Sequence, residues 1–200
     1  MCGICGFTNR KKLFENEEYI IRKMSEKISH RGEDKEGYYN SDDVYLGHRR
    51  LAIRDIEKGD QPMSFTDNEG KKYTIIYNGE IYNTDYLKDY LEKNNIVLTT
   101  TCDTEILLKL YILVKERCLD MIKGIFAFVI YEEPTGLLFL ARDQLGVKPL
   151  FYTIINGDII FGSEMKALLC LDEVPKVLDL NGLKELIGMR ASNANWIKCF

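Results

Sequence analysis

The second half of the chain contains two short turn sequences, each lying between segments whose composition is typical of β-strands. Pro134-Thr135-Gly136 separates residues 125–131 from 137–141, and Asn156-Gly157 separates residues 150–155 from 158–161. A two-residue Asn-Gly connection favours a type I′ turn, because both central residues then need a positive φ. The turns predict two β-hairpins, and hairpins imply antiparallel sheets.

A further strand is predicted at residues 73–77, and three segments have apolar residues at helical spacing. Asn83, Thr84 or Asp85 is available to cap the second of these helices. Because helices and strands occupy separate stretches of the chain, we predict an α+β layered domain. The helical segments comprise Ile20, Ile21, Met24 and Ile28; Tyr86, Leu87, Tyr90 and Leu91; and residues 104 to about 117 after Asp103.

Length, charge and hydropathy exclude several classes of protein. The chain has 200 residues and is 46% hydrophobic, which fits one domain of ordinary size. With 27 Lys and Arg against 31 Asp and Glu, it lacks the basic surface that nucleic-acid binding requires, so we expect no nucleic-acid partner. The longest apolar runs, 106–114 and 125–131, are shorter than the roughly 20 residues of a membrane span. We predict no membrane association.

Six cysteines are present, and the first two form a C-x-x-C motif, Cys2-Gly-Ile-Cys5. A structural zinc site needs four ligands, but the chain has no second C-x-x-C and only two histidines, His30 and His48. We therefore expect no metal site. A redox pair is the remaining alternative, although nothing around the motif resembles the start of a βαβ unit. The N-terminus lacks a secretory signal, so we predict a cytoplasmic protein with free thiols.

Cys2 is also a candidate nucleophile, because removal of Met1 would leave one residue with a thiol and a free α-amino group. Such an amino group has a pKa of about 7.7 to 8.0, so near neutral pH it can accept the thiol proton and later protonate a leaving amine. A cysteine beside a start codon is, on its own, more often an ordinary small residue. The hypothesis therefore depends on what accompanies Cys2.

Asn78-Gly79 follows the predicted strand 73–77 and leads into a predicted helix. A hairpin turn is the common explanation of Asn-Gly between strands. At a strand end, however, the Asn amide and the Gly N–H would offer two converging donors to an oxyanion formed during acyl transfer. Gly79 would permit the close approach that this needs.

Arg50 and Asp103 are candidates for the recognition of an amino acid. Asp103 is explained equally well as a helix N-cap, and Arg50 as a solvated strand residue. An amino-acid substrate nevertheless needs a cation for its carboxylate and an anion for its ammonium, and an Arg with a distant Asp can supply this pair. The spacing alone does not bring the two residues together.

The order of these motifs resembles the glutaminase domain of asparagine synthetases, which are class II glutamine amidotransferases with an N-terminal nucleophile. GEIYN, RD-x-LG-x-KPL and SE-x-KAL point to the asparagine synthetase branch, whereas RG-x-D-x-x-G and NG occur in related amidotransferases. Glu33, where the family has Pro, and Cys102, where it has Ser or Thr, are departures from the pattern. The matching stretches are MCGICGF at 1–7, HRGEDKEG at 30–37, GHRRLAIRD at 47–55, QPM at 61–63, YNGEIYN at 77–83, CDTE at 102–105, GIFAFVIYE at 124–132, ARDQLGVKPLFY at 141–152 and FGSEMKAL at 161–168.

The resemblance implies a four-layer αββα sandwich of two antiparallel sheets. It implies that Cys2 attacks the side-chain amide of glutamine, releasing ammonia and forming a glutamyl thioester. Arg31 is expected to support the surroundings of the nucleophile without being catalytic. By the resemblance, the side chain of Asn78 and the N–H of Gly79 form the oxyanion hole, and the backbone from Leu51 to Ile53 lines the pocket. On the same basis, Arg50 binds the substrate carboxylate, and Asp103, with the neighbourhood of Glu80, binds the α-amino group.

We expect the amidotransferase domain to span residues 1–170, and residues 171–200 to be a linker toward an ATP-dependent synthetase domain. The SGG-x-DS loop of that domain does not occur in the chain, so the chain is expected to be an excised domain, a truncated product or one half of a split enzyme. We expect no cofactor here, with ATP and Mg²⁺ serving only the synthetase domain. The expected partners are L-glutamine and that ammonia-accepting domain or subunit, and a homodimer stays open.

Two alternatives stay open at this point. The first is an amidotransferase of the same class that serves another acceptor, such as an amino-sugar or purine synthetase, although GEIYN and KPL argue against it. The second is a non-catalytic interaction or ammonia-gating module with the same fold. Retention of Met1 would block the α-amino base and would favour the second alternative.

Overall fold

Two antiparallel β-sheets form the centre of the protein, in a computed structural model that describes residues 1–52 and 59–183. In the described residues, one sheet has five strands in the order β2-β3-β1-β9-β8, and the other has four in the order β4-β5-β6-β7. The strands are β1 (Gly3–Thr8), β2 (Lys35–Asn40), β3 (Val44–Arg50), β4 (Met63–Thr66), β5 (Lys72–Ile81), β6 (Gly124–Glu132), β7 (Leu137–Arg142), β8 (Phe151–Ile155) and β9 (Asp158–Gly162).

α-Helices and two short 3₁₀ helices accompany the sheets, and residues 180–183, at the end of the described range, are also helical. The α-helices are α1 (Glu17–Lys27), α2 (Thr84–Lys93), α3 (Asp103–Val114), α4 (Cys118–Met121) and α5 (Met165–Leu169), and the 3₁₀ helices are Ser29–Arg31 and Lys115–Arg117. None of the helices described is long and apolar enough to span a bilayer.

Three buried apolar clusters define the layers. The central cluster includes Ile4 of β1 and Ile76 of β5, so it lies between the two sheets. The opposite face of the four-stranded sheet packs on α2 and α3, as Ile75 and Leu107 illustrate. The opposite face of the five-stranded sheet packs on α1 and α5. The layers therefore run helix, sheet, sheet, helix, and the predicted αββα fold is confirmed.

Both predicted hairpins are confirmed. β6 pairs with β7 across residues 133–136, and β8 pairs with β9 across Asn156 and Gly157. Asn156 has φ 54° and Gly157 has φ 92°, so the two residues that connect β8 and β9 both adopt the positive φ expected of a type I′ turn.

The three predicted helices are present, although α3 ends at Val114 and Lys115–Arg117 form a separate 3₁₀ helix, and two capping predictions are wrong. Asn83 occupies the N-cap position of α2 without a capping hydrogen bond from its side chain. Instead, its Nδ2 donates to the carbonyl of Met121 at 2.9 Å, and its Oδ1 accepts from the N–H of Lys123 at 2.8 Å. Asp103 is the first residue of α3, and Cys102 occupies the cap position. Both polar side chains bond to a distant part of the chain, Asp103 to Tyr77 and Ile81 of β5.

The prediction that β5 ends at Tyr77 and turns at Asn78-Gly79 is also wrong. β5 continues to Ile81, with Asn78 opposite Ala127 and Gly79 opposite Phe126 in β6. A long partner strand supplies backbone hydrogen bonds beyond Tyr77, so the local turn preference of Asn-Gly is overridden. Asn78 and Gly79 therefore lie on a rigid strand.

Candidate functional site

A pocket of about 230 Å³ opens where β1 begins and β3 ends. These two strands are antiparallel, with Gly3 opposite Arg49, so Cys2 and Arg50 lie at the same edge of the sheet. Most of the residues predicted from the sequence to form the site line this pocket. Ala52, in the predicted backbone segment from Leu51 to Ile53, is not among the lining residues, and Ile53 lies outside the described residues. The predicted residues at the pocket are Cys2, Arg50, Leu51, Asn78, Gly79, Glu80 and Asp103.

Cys2 lies immediately before β1 and is partly exposed, so its thiol can meet a molecule in the pocket. Its Sγ is 3.8 Å from the carbonyl oxygen of Leu51. Its own carbonyl accepts a hydrogen bond of 3.0 Å from Nε of Arg31, as expected for a residue that supports the nucleophile. The main chain of Cys2 is thus held by a side chain from another segment.

Asn78 carries a buried donor without a partner. The residue is 2% exposed, and no group in the described ranges forms a hydrogen bond with Nδ2. A buried amide N–H without a partner costs about 1–3 kcal/mol, so such a group in a pocket is a candidate for binding a ligand. Nδ2 of Asn78 is therefore available to a substrate oxygen.

Gly79 is enclosed by its neighbours. A Cβ at this position would lie 2.4 Å from the carbonyl oxygen of Ile125, 2.6 Å from Cε2 of Tyr77 and 2.8 Å from Cα of Phe126. These distances are too short for any side chain, so close packing with β6 requires glycine at the residue that follows Asn78.

His48, for which the sequence predicted no role, fastens β3 to β5. Its Nε2 donates to the carbonyl of Tyr77 at 3.2 Å, since a carbonyl can only accept, and Nδ1 is then left as an acceptor. Burial disfavours the charged imidazole and lowers the pKa of His48 to about 4. A neutral histidine therefore connects the strand of Arg50 to the strand of Asn78.

Arg50 is buried at 6% exposure, which excludes the alternative of a solvated strand residue. Its Nη1 lies 2.9 Å from Oδ1 of Asp60. Asp60 also pairs with Lys35, and the bonds from Lys35 and Arg50 lower the pKa of Asp60 in spite of some desolvation. Arg50 consequently presents an oriented guanidinium at the pocket.

Asp103 is held by β5. Its Oδ2 accepts a hydrogen bond of 2.9 Å from the phenolic O–H of Tyr77 and one of 3.3 Å from the N–H of Ile81. The pKa of Tyr77 is raised well above 10, mainly by burial and secondly by the negative charge of Asp103. The phenol therefore stays protonated and remains a donor. The anion at this end of the pocket is fixed by two groups from one strand.

Gln61 is a pocket residue for which the sequence predicted no role. Its Oε1 accepts a hydrogen bond of 2.6 Å from the N–H of Tyr77, and its Nε2 donates one of 3.3 Å to Oγ1 of Thr104. Gln61 thereby joins β5 to α3. The QPM motif at 61–63 was the available signal.

Glu105 organises the loop that precedes Asp103. Its carboxylate accepts hydrogen bonds from the backbone and hydroxyl groups of Thr99 and Thr100, and it pairs with Lys109 at 2.6 Å. Burial opposes ionisation, but these bonds outweigh it and lower the pKa of Glu105 to about 2. The signal was the CDTE motif, of which only Asp103 was assigned a role.

Lys148 reaches the pocket from the loop after β7. The carboxylate of Asp143 accepts from the N–H groups of Val147 and Lys148 at 2.9 Å each and from that of Phe126 at 3.2 Å. This links the RD-x-LG-x-KPL segment to β6 opposite Gly79.

No group of three or more potential metal ligands is found among the residues that the structure describes.

Comparison with known proteins agrees with this arrangement. The chain is 44% identical over 192 residues to asparagine synthetase [glutamine-hydrolyzing] 3 of Bacillus subtilis, covering 96% of this chain and 31% of that protein. It is 41% identical over 197 residues to a putative asparagine synthetase [glutamine-hydrolyzing] 2 of Methanocaldococcus jannaschii, covering 90% and 37%. The chain thus spans about a third of the length of these relatives.

Solved structures with the same fold include the glutamine phosphoribosylpyrophosphate amidotransferase of B. subtilis in complex with ADP and GMP. The likeness has a TM-score of 0.71 at 23% sequence identity and covers 84% of this chain and 43% of that one. A family model described as a glutamine amidotransferase domain matches residues 1–199. The chain therefore belongs to the glutamine amidotransferase domain family.

Proposed function

We propose that this chain hydrolyses L-glutamine to glutamate and ammonia, with Cys2 as the nucleophile. The observation that carries the proposal is the shared pocket, which brings together a cysteine thiol, the unpartnered Nδ2 of Asn78, the guanidinium of Arg50 and the carboxylate of Asp103. A nucleophile, an oxyanion donor and two opposite charges match the requirements of an amino-acid amide.

The first step forms a thioester. Once Met1 is removed, the α-amino group of Cys2 accepts the thiol proton, and Sγ attacks the side-chain amide carbon of glutamine. The carbonyl oxygen becomes an oxyanion and receives hydrogen bonds from Nδ2 of Asn78 and the N–H of Gly79. The α-ammonium then returns the proton to the leaving nitrogen, and the carbon–nitrogen bond breaks to release ammonia.

Hydrolysis of the thioester uses the same groups. The α-amino group takes a proton from water, and the resulting hydroxide attacks the thioester carbon. The oxyanion again forms at Asn78 and Gly79. Its collapse breaks the carbon–sulfur bond, glutamate leaves, and the proton returns to Sγ of Cys2, so the enzyme is regenerated.

Recognition of glutamine depends on its two charged groups. Arg50 would pair with the α-carboxylate, and Asp103, with the neighbourhood of Glu80, would pair with the α-ammonium. The backbone of Leu51 and Ile53 would line the pocket. The position of Arg50 supports this assignment, because it lines the pocket and its planar guanidinium, oriented by Asp60, can bind a carboxylate through two hydrogen bonds.

The ammonia is proposed to pass to an ATP-dependent synthetase domain or subunit that amidates aspartate. Support comes from the relatives, which are named asparagine synthetases and of which the chain spans about a third. ATP and Mg²⁺ would serve that partner alone. The proposal sets the domain boundary at residue 170, directly after α5, and locates the reaction in the cytoplasm, where thiols stay reduced.

Glutamate release from L-glutamine tests the proposal, using purified protein whose intact mass shows that Met1 is removed. The unaltered protein and a Cys170→Ala control should release glutamate, and Cys2→Ala should not. Cys170 is a suitable control, because it is partly buried like Cys2 but packs in the α1 and α5 layer. Turnover by Cys2→Ala would contradict the mechanism. Absence of turnover in the unaltered protein would favour a non-catalytic module.

A further inference from the structure

Glu164, which lies between β9 and α5, forms ion pairs with three basic side chains. Its carboxylate lies 2.9 Å from Nε2 of His30, 3.0 Å from Nη1 of Arg31 and 3.0 Å from Nζ of Lys166. Burial acts to raise the pKa of Glu164, but the hydrogen bonds from Arg31, Lys166 and His30 outweigh it and lower this pKa to about 2. Glu164 is therefore ionised throughout the range in which an enzyme works.

Arg31 connects this carboxylate to the nucleophile. Its side chain is only 8% exposed, and its guanidinium is bound on two sides, by Glu164 through Nη1 and by the carbonyl oxygen of Cys2 through Nε at 3.0 Å. A buried guanidinium without a counter-charge has an unfavourable free energy, so the ion pair with Glu164 fixes the position of the Arg31 side chain.

The residue before Glu164 fastens the same segment. The strand pairing of β1 with β9 ends at Cys5 and Gly162. Beyond it, the N–H of Ile4 donates to Oγ of Ser163 at 2.9 Å, and the N–H of Ser163 donates to the carbonyl of Ile4 at 2.8 Å. Ser163 and Glu164, the first residues of the SE-x-KAL motif, thus hold the chain from residue 2 to residue 4.

We propose that Glu164 is a positioning residue of the amidotransferase reaction: it fixes the guanidinium of Arg31, and through Arg31 the main chain of Cys2. This inference rests on the proposed function and deepens it. Glu164 is not among the residues that line the pocket, so it acts without touching the substrate.

Such a role affects the two kinetic constants differently. Loss of Glu164 displaces the thiol and the α-amino group of Cys2, and a misplacement of about 1 Å can lower a rate about 10²-fold. The recognition residues Arg50 and Asp103 are untouched. We therefore expect Glu164→Gln to lower kcat about 10- to 100-fold, with the KM for glutamine changed by less than about 3-fold.

The kinetic test compares Glu164→Gln with a matched control, Glu133→Gln. Glu133 is also a partly exposed carboxylate with two partners, Tyr39 and Lys72, at a different part of the surface. The control should retain the kcat of the unaltered protein. Equal kcat values for Glu164→Gln and the control would overturn the proposal, as would a KM that rises as much as kcat falls.

A double-mutant cycle tests the route through Arg31. If Glu164 acts by fixing Arg31, the variant with both Arg31→Gln and Glu164→Gln should have the kcat of Arg31→Gln alone, within about 2-fold. A general loss of stability would instead give additive effects on kcat. Additivity of the two substitutions would therefore overturn the proposal.

Hydrogen exchange separates this inference from the proposed function, since it needs no turnover. The amides of residues 3–8 should exchange at least about 10-fold faster in Glu164→Gln than in Glu133→Gln, because an anchor of that segment is lost. If the unaltered protein releases no glutamate, the proposed function fails. Faster exchange would still uphold Glu164 as the anchor of the Cys2 segment, and unchanged exchange would overturn it.

Discussion

The phenolic O–H of Tyr77 donates a hydrogen bond of 2.9 Å to Oδ2 of Asp103. Tyr77 directly precedes Asn78 in β5, and Asp103 is the first residue of α3. One hydrogen bond thus joins the strand that carries the proposed oxyanion donor to the helix that carries the proposed ammonium site. Gln61 bridges the same two elements through the N–H of Tyr77 and Oγ1 of Thr104. The distance between the reacting end and the recognition end of the pocket is therefore fixed by hydrogen bonds between polar groups that are buried or partly buried.

Asn78→Ala should lower the rate of glutamine hydrolysis about 10²- to 10³-fold, because it removes one of two oxyanion donors. The free energy of unfolding should change little, since Nδ2 has no partner to lose in the described structure. Initial rates and denaturant unfolding would measure the two effects. Asn94→Ala, which removes an exposed amide bonded to the carbonyl of Tyr90, is the control and should keep full activity. An unaltered rate in Asn78→Ala would remove Asn78 from the site.

Gly79→Ala should lower both stability and activity. The added methyl group would meet the carbonyl oxygen of Ile125 at 2.4 Å, and overpacking of this kind costs about 1–3 kcal/mol. Displacement of β5 from β6 should also move Asn78 and reduce turnover. Thermal unfolding and initial rates would measure the outcome.

Gly70→Ala is the matched control for Gly79→Ala. A Cβ at Gly70 meets nothing within 4 Å, but φ is +80°, so the substitution should cost about 1 kcal/mol without affecting turnover. Full activity in Gly79→Ala would show that close packing at this position has no bearing on the site.

Arg50→Gln should weaken the recognition of glutamine. Loss of a hydrogen bond to a charged group costs about 1.5–3 kcal/mol, which corresponds to roughly a 10- to 100-fold lower kcat/KM, expressed mainly in KM. Steady-state kinetics over a wide range of glutamine concentrations would show this. Arg22→Gln, at an exposed arginine paired with Glu18, should behave like the unaltered protein. Normal saturation of Arg50→Gln by glutamine would count against the assignment.

His48 should make stability depend on pH below neutrality. Its pKa is about 4 in the folded protein because of burial, against 6.5 for the exposed side chain. The unfolded chain takes up the proton first, so the stabilising contribution is complete above about 6.5 and is lost as pH falls toward 4. The loss should amount to about 2 to 3 kcal/mol.

His48→Gln should remove this dependence while retaining a donor for the carbonyl of Tyr77. Denaturant unfolding of both proteins between pH 7.5 and pH 4.5 would provide the comparison, since all other groups titrate alike in the two. Identical slopes of unfolding free energy against pH would show that His48 does not titrate in this way.

Much of the secondary structure follows from patterns within short segments. The Asn156-Gly157 turn predicts the β8–β9 hairpin, because the preference for positive φ belongs to those two residues. Helices α1, α2 and α3 follow from the spacing of their apolar residues. β1 was not predicted, since it is buried along its whole length as a central strand between two other layers, and it has no alternation of polar and apolar residues.

The candidate site was predicted mainly through its motifs. The resemblance supplied Cys2, Arg50, Asn78 and Asp103, all of which line the pocket. Residues that act through other residues also lie in these motifs, but the sequence assigned them no role. His48, Gln61 and Glu164 became recognisable only through their hydrogen bonds to Tyr77, Thr104 and Arg31.

The sequence by itself determined the fold class, the β6–β7 and β8–β9 hairpins, the main helices and the family, because each depends on residue types at short or fixed spacing, whereas the β2–β3 and β4–β5 pairs were not predicted. Only the tertiary structure decided that Asn78-Gly79 lies inside a strand, that Arg50 is buried, and that Asp103 follows the N-cap position and bonds to Tyr77. These features depend on contacts between segments far apart in the chain. The free energy of such contacts exceeds local preference, and the sequence pattern around each residue does not encode it.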